Sequence, residues 1–179
     1  MTAARTTLLA FAVAALLAPE FRQYRADREL RRATAVFRAI VTAPPTAPRR
    51  SRALGWVRET ALDAAAAIPG DSRGLILAGS AALVGGEGPA ALVAYRRALA
   101  AGERAEIDLN LARTYALERR QDDAHAALVR AGWVSPVLLR SLPQAAQLSV
   151  RRDLKLAVRA LRAGKLTTPP ALPLDAAGG

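Results

Sequence analysis

The chain has 179 residues, enough for one ordinary domain or one short helical array with tails, and too few for two independent cores. Apolar residues make up 52% of it, mostly Ala and Leu with 4% aromatics, a mixture that suits closely packed helices and argues against a sheet. No cysteine and a single histidine exclude disulfide scaffolds, cysteine zinc sites and thiol nucleophiles, and leave almost nothing from which to build a metal site or a catalytic triad.

The net charge of +11 is unevenly placed. From Arg22 to Arg58 ten arginines face only Asp27 and Glu29, and from Arg140 to Lys165 seven bases face only Asp153. Between these flanks acids slightly outnumber bases. Lys155 and Lys165 are the only lysines, a bias that GC-rich coding produces and that is no evidence for a nucleic-acid site.

Taken in order, Arg5 precedes the uncharged run Thr6–Ala18, which ends at Pro19. As a helix it reaches about 20 Å, short of the roughly 30 Å hydrocarbon core, so residues 1–19 read as a signal peptide or a short membrane anchor. The anchor ranks first, because the arginines just beyond are unusual at the start of a secreted chain. A short leader favours the extracytoplasmic side, whereas the positive charges that follow favour the cytoplasmic one.

Pro19 and Glu20 suit the first turn of a new helix, on which Phe21, Tyr24, Leu30, Ala33, Phe37 and Ile40 are expected to face inward. Residues 20–50 then form a basic juxtamembrane helix and a proline-rich linker around Pro44, Pro45 and Pro48. Arg22, Arg25, Arg28, Arg31 and Arg32 are the candidates for contact with an anionic membrane surface.

Ser51 and Ser72 are expected to cap the next two helices, ended by Pro69-Gly70 and Gly85-Gly86. Pro89 opens another helix closed by Gly102, Glu106–Glu118 and Asp122–Ala131 form a further pair, and Gly132 breaks the pattern. Trp56 and Trp133 are expected as buried packing, and His125 as exposed. A last helix runs from about Gln144 to Ala163, and residues 166–179 are expected to be disordered.

A period emerges from these pairs. With Ala105 as the first position of a unit, Leu111, Ala112, Tyr115, Ala124, Leu128, Ala131 and Pro136 recur in the order of Leu, small, Tyr, Ala, large apolar, Ala and Pro. One unit earlier, from Ser72, Leu75, Ala78, Gly79, Ala82, Ala91, Tyr95 and Ala98 take corresponding places. This pattern resembles the tetratricopeptide repeat (TPR) family over residues 51–138, with a degenerate first unit. The resemblance implies an all-α fold: a short TPR-like α-solenoid of antiparallel helix pairs, with capping helices at both ends, the C-terminal one basic and spanning residues 139–165.

It also implies a groove for a protein partner, lined by the first helix of each unit. Carried over, that surface is Arg73, Ile76, Ser80 and Leu83, then Glu106, Leu109, Asn110, Arg113 and Ala116. A plainer reading pairs Arg113 with Glu106 or Asp108 and lets Asn110 bond a neighbouring helix.

The last helix carries Arg151, Lys155, Arg159 and Arg162 on one side and apolar residues on the other, which suits a solvated cap, an anionic membrane or an acidic partner. Gly85-Gly86-Glu87-Gly88 lacks the lysine and preceding strand of a phosphate loop. The expected function is thus a non-catalytic, cofactor-free adaptor at a bacterial cell envelope, of the kind that accompanies envelope assembly or surface-polysaccharide export. The rival is a basic protein that binds nucleic acid or another anionic polymer through its flanks, which predicts tight, strongly salt-dependent binding by residues 22–165.

Overall fold

Leu30, Ala33 and Ile40 recur at helical spacing, and the computed structural model buries all three along one stripe. It describes residues 2–174, with side-chain surroundings from residue 18 onward. Among the described residues there are α-helices and one 3-10 helix and no strand, so the fold is all-α. The helices are α1 Thr2–Thr42, α2 Ala47–Ala67, α3 Ser72–Val84, α4 Gly88–Ala100, α5 Ala105–Leu117 and α6 Gln121–Val134; the 3-10 helix Pro136–Ser141 then leads into α7 Gln144–Arg162.

Short connections turn the chain back on itself, and each helix packs on its neighbours in sequence, from α1 on α2 to α6 on α7. In addition α3 touches both α1 and α5. The centre of the core lies between α3, α4, α5 and α6, where Tyr95, Ile107, Leu111 and Tyr115 are fully buried. Burying a large apolar side chain contributes about 1.5–3 kcal/mol, so these four are major supports of the fold. A second cluster joins α1, α2 and α3 around Leu30, Val57, Ala61 and Leu77, and a third places Leu139 and Val150 against Val129.

Small residues set how closely the helices approach. Gly79, Ala91, Ala98, Ala112, Ala124 and Ala131 are all buried. A Cβ on Gly74 would lie 2.6 Å from the Ala61 carbonyl oxygen, so α2 and α3 meet backbone against side.

The helix ends show the local chemistry. The Asp71 carboxylate accepts the Arg73 N–H at 2.9 Å and caps α3, so Asp71 and not Ser72 is the capping residue. Ser51 lies inside α2, whose first turn carries Pro48, because proline tolerates that place and its missing N–H costs nothing there. After α3 the Glu87 N–H reaches back to the Ala82 carbonyl across Gly86, which has φ +79°. After α5 the Arg120 N–H reaches the Tyr115 carbonyl in the same way, but the left-handed place is held by Arg119 at φ 60°.

Several expectations need correction. Pro19 does not begin a new helix: α1 runs through it, the hydrogen bonds of the flanking turns holding a helix that lacks one N–H. Phe21 and Tyr24 face outward at 68% and 67% exposure, since the six-residue step from Tyr24 to Leu30 leaves them out of phase with the buried stripe. Gly132 does not break α6 but is buried inside it, where a Cβ would lie 2.9 Å from side-chain carbons of Leu139 and Leu154. Trp133, in turn, sits in the last turn of α6.

The C-terminal tail is not free of the bundle as far as it is described. The Tyr115 hydroxyl donates to the Pro173 carbonyl and Arg130 Nη1 to the Pro170 carbonyl at 3.1 Å, while Leu172 packs on the central core. Residues 175–179 lie outside the described residues, as do the side chains of the apolar run up to Leu17. Among the described residues no helix is long and apolar enough to cross a membrane.

Candidate functional site

The surface shared by α3 and α5 gathers part of the expected groove. Ser80 donates to the Ile76 carbonyl at 2.8 Å, which leaves its oxygen to accept from the Tyr95 hydroxyl at 3.0 Å. Burial pushes the Tyr95 hydroxyl up to about 12, with the Ser80 hydrogen bond and the nearby positive charge of Arg113 acting in the opposite direction. Tyr95 thus bonds Ser80 of α3 and feels the charge of Arg113 of α5.

On α5, Arg113 Nη1 donates to Asn110 Oδ1 at 3.0 Å. Neither Glu106 nor Asp108 pairs with it: Glu106 meets Arg104 at 3.1 Å, and Asp108 points into the core. Arg113 is exposed and free to turn from Asn110 to an incoming carboxylate, which guanidinium geometry suits. Beside it Leu109, Ala112 and Ala116 border a cavity of about 360 Å³, closed on the other side by Leu128 of α6 and by Leu142 and Pro143.

Arg73 is not part of that group. It binds Asp71 and, at 3.0 Å, Asp27 of α1, so it ties α3 to α1. The side-chain hydrogen bond from Arg73 keeps Asp71 below the usual carboxylate range, and hydrogen bonds from Arg31 first and then Arg73 do the same for Asp27. Ile76 and Leu83 are half-buried against the central core and offer edges rather than full faces.

The basic residues of α1 divide. Arg25 and Arg28 point outward beside Phe21 and Tyr24. Arg31 pairs with Asp27 at 2.7 Å, and Arg32 lies 5.6 Å from the centre of the half-buried Trp56 ring. Arg22 borders the junction between α1 and the end of α2.

His125 is half-buried, and its Nε2 lies 2.7 Å from Asp153, joining α6 to α7. Ser141 borders the same cavity as His125, but its hydroxyl donates to the Leu138 carbonyl at 2.7 Å. Among the described residues no group of three or more His, Cys, Asp or Glu is placed to hold a metal ion.

Sequence reasoning missed two features. Asp108 is fully buried in the first turn of α5, with the Glu103 carboxylate as its close acidic neighbour. Its place near a helix N-terminus marked it as acidic but gave no sign of burial. The second is a groove of about 600 Å³ between the 3-10 helix and α7, in which Arg140 faces the cations of α7. Only the path of residues 136–141 brings Arg140 there.

No protein-family model, curated protein or solved structure matches the chain.

Proposed function

We propose that the chain is a non-catalytic adaptor of tetratricopeptide type, which takes a segment of a protein partner on the surface formed by α3 and α5. The observation that carries this reading is the equivalence of two helix pairs. Ala78 and Leu111, Gly79 and Ala112, Ala82 and Tyr115, Ala91 and Ala124, and Ala98 and Ala131 occupy matching places and are all buried. The turns at Gly86 and Arg119 match as well. Contact between α3 and α5 then sets their first-helix faces side by side, as stacking of repeats requires, and α1 and α7 cover the two ends as caps.

On this surface Arg113 and Asn110 supply a cation and an amide for a backbone or carboxylate, and Ala116 supplies an exposed apolar edge above Leu109, which is itself buried at 7% exposure. The N-terminal segment holds the adaptor at a membrane of the cell envelope, on the extracytoplasmic side. Phe21 and Tyr24, outward beside Arg25 and Arg28, support the membrane contact, because aromatic rings and arginines gather at headgroup level, and the shortness of the leader is what favours the extracytoplasmic side.

A photoreactive residue at Ala116 should form an adduct with a partner protein in cells, an adduct that Arg113→Glu reduces and that the same residue at Arg97 on α4 does not form. Equal labelling from both positions would refute the assignment. Fractionation with protease protection of a C-terminal tag tests the membrane and its side.

A further inference from the structure

We propose that the groove between the 3-10 helix and α7 is a second binding site, independent of the α3–α5 surface, and that its occupant is an acidic amphipathic helix of a partner protein.

Its floor is apolar: Pro136, Val137 and Leu139 from one side, Leu154 and Val158 from the other. Val137 is 65% exposed, so this floor is open to solvent. Its rim is wholly cationic. Arg151, Lys155, Arg159 and Arg162 follow one lip, Arg140 stands on the other, and no acid borders the groove. Among the described residues none of these five cations pairs with a carboxylate. The single acid of this region, Asp153, is turned away and held by His125 at 2.7 Å and Arg152 at 3.2 Å. The groove therefore offers solvent-exposed apolar area and unmatched positive charge together.

The spacing selects the ligand. Arg151, Lys155 and Arg159 stand one helical turn apart, about 6 Å each, and the lip runs about 17 Å to Arg162. A row of separated cations matches carboxylates that recur every turn or so, as on one face of a helix of about 12–18 residues, whose apolar face would fill the floor. A single lipid headgroup carries its charge in one place. A flat bilayer cannot fill a concave groove, and Val150, at the start of the apolar stripe of α7, is fully buried against Val129 and Leu139. Nucleic acid stacks its bases on aromatic rings, and none borders this groove. A second copy of the same face would bring five cations against five.

The test is selection of a displayed library of helix-forming peptides, about 16 residues long, on the full chain. Enriched peptides should carry one Leu-rich face flanked by Asp and Glu. Their affinity should fall at least about tenfold in the Arg151→Glu, Arg159→Glu double variant. The Arg38→Glu, Arg97→Glu double variant, equal in net charge, should bind within about twofold of the parent, which separates the groove from the +11 charge of the whole chain. Val158→Glu should weaken binding too, and circular dichroism checks that every variant is folded. The α3–α5 surface is untouched in these variants, so its own adducts should persist. Enrichment of peptides without acidic residues, failure to enrich any family, or equal affinity for the Arg151→Glu, Arg159→Glu variant would overturn the proposal. So would binding of phosphatidylglycerol vesicles or a single-stranded oligonucleotide that the same variant abolishes while leaving peptide binding intact.

Discussion

Gly79→Ala adds one carbon where there is no room for it. An ideal Cβ at this place lies 2.7, 2.8 and 2.9 Å from Cε1, Cζ and Cδ1 of Tyr95, about 1 Å inside ordinary carbon contact. The ring is fully buried and its hydroxyl is bonded to Ser80, so it cannot swing aside without losing that bond. Overpacking of this kind costs about 1–3 kcal/mol. The gain in helix propensity on replacing glycine by alanine, about 1 kcal/mol, acts against it. Gly55→Ala supplies the control, because Gly55 also lies within a helix and has nothing within 4 Å of its added carbon. Subtracting one from the other removes the propensity shared by both. Gly55→Ala should stabilise by about 0.5–1 kcal/mol, and Gly79→Ala should stand about 1–3 kcal/mol below it. Urea denaturation followed by circular dichroism reads both, and for a chain of this size each kcal/mol is roughly 2–4 °C in Tm. If Gly79→Ala proved as stable as Gly55→Ala, the account of α3 and α4 as helices held at contact distance by a missing side chain would be wrong.

Burial first, and the negative charge of Glu103 second, push the Asp108 carboxyl up to about 7, so the folded chain keeps a proton that the unfolded chain releases near 3.8. This contribution is fully present below about pH 4 and declines as pH rises through about 7; Asp108→Asn should flatten the decline, and parallel urea midpoints in the two proteins between about pH 5 and pH 8 would count against it. Arg119→Gly relieves a left-handed residue in the α5–α6 turn and should stabilise by about 0.5–1 kcal/mol in thermal melts, a loss of stability being the contrary result. Asp71→Ala removes the cap of α3 and the partner of Arg73, and should cost about 0.5–2 kcal/mol by the same denaturation assay, whereas Ser72→Ala should be nearly neutral.

The helices were legible in the sequence because glycine and proline punctuate them and because alanine recurs where backbones meet. Pro69-Gly70, Gly86 and Pro89 stand at helix ends or starts for backbone reasons that any reader of the residues can follow. Phase was harder: Phe21 and Tyr24 are apolar, yet the angle per residue turns them away from Leu30. Which of two adjacent polar residues caps α3 depended on dihedrals that Asp71 and Ser72 do not announce. Of the candidate site, the grouping of Ser80 with Arg113 required the tyrosine that bonds the one and feels the charge of the other, and the departure of Arg73 required α1 to pass nearby. Burial of Asp108 and the position of Arg140 follow from tertiary packing alone, for which charge patterning carries no signal.

The polar grip on the strap formed by residues 170–173 is made through the carbonyl oxygens of Pro170 and Pro173, by Arg130 and Tyr115, while Leu172 packs on the core. Those two hydrogen bonds are indifferent to the letters at positions 170 and 173. Exchanging Pro170 or Pro173 for alanine leaves both acceptors in place and changes chiefly how many shapes the loose chain can explore. Truncating the chain before Pro170, by contrast, would expose Tyr115 and the edge of the core at once. The seam between α5 and α6 is thus completed partly by backbone acceptors, and a comparison of sequences by residue identity would register Leu172 and pass over the two carbonyls.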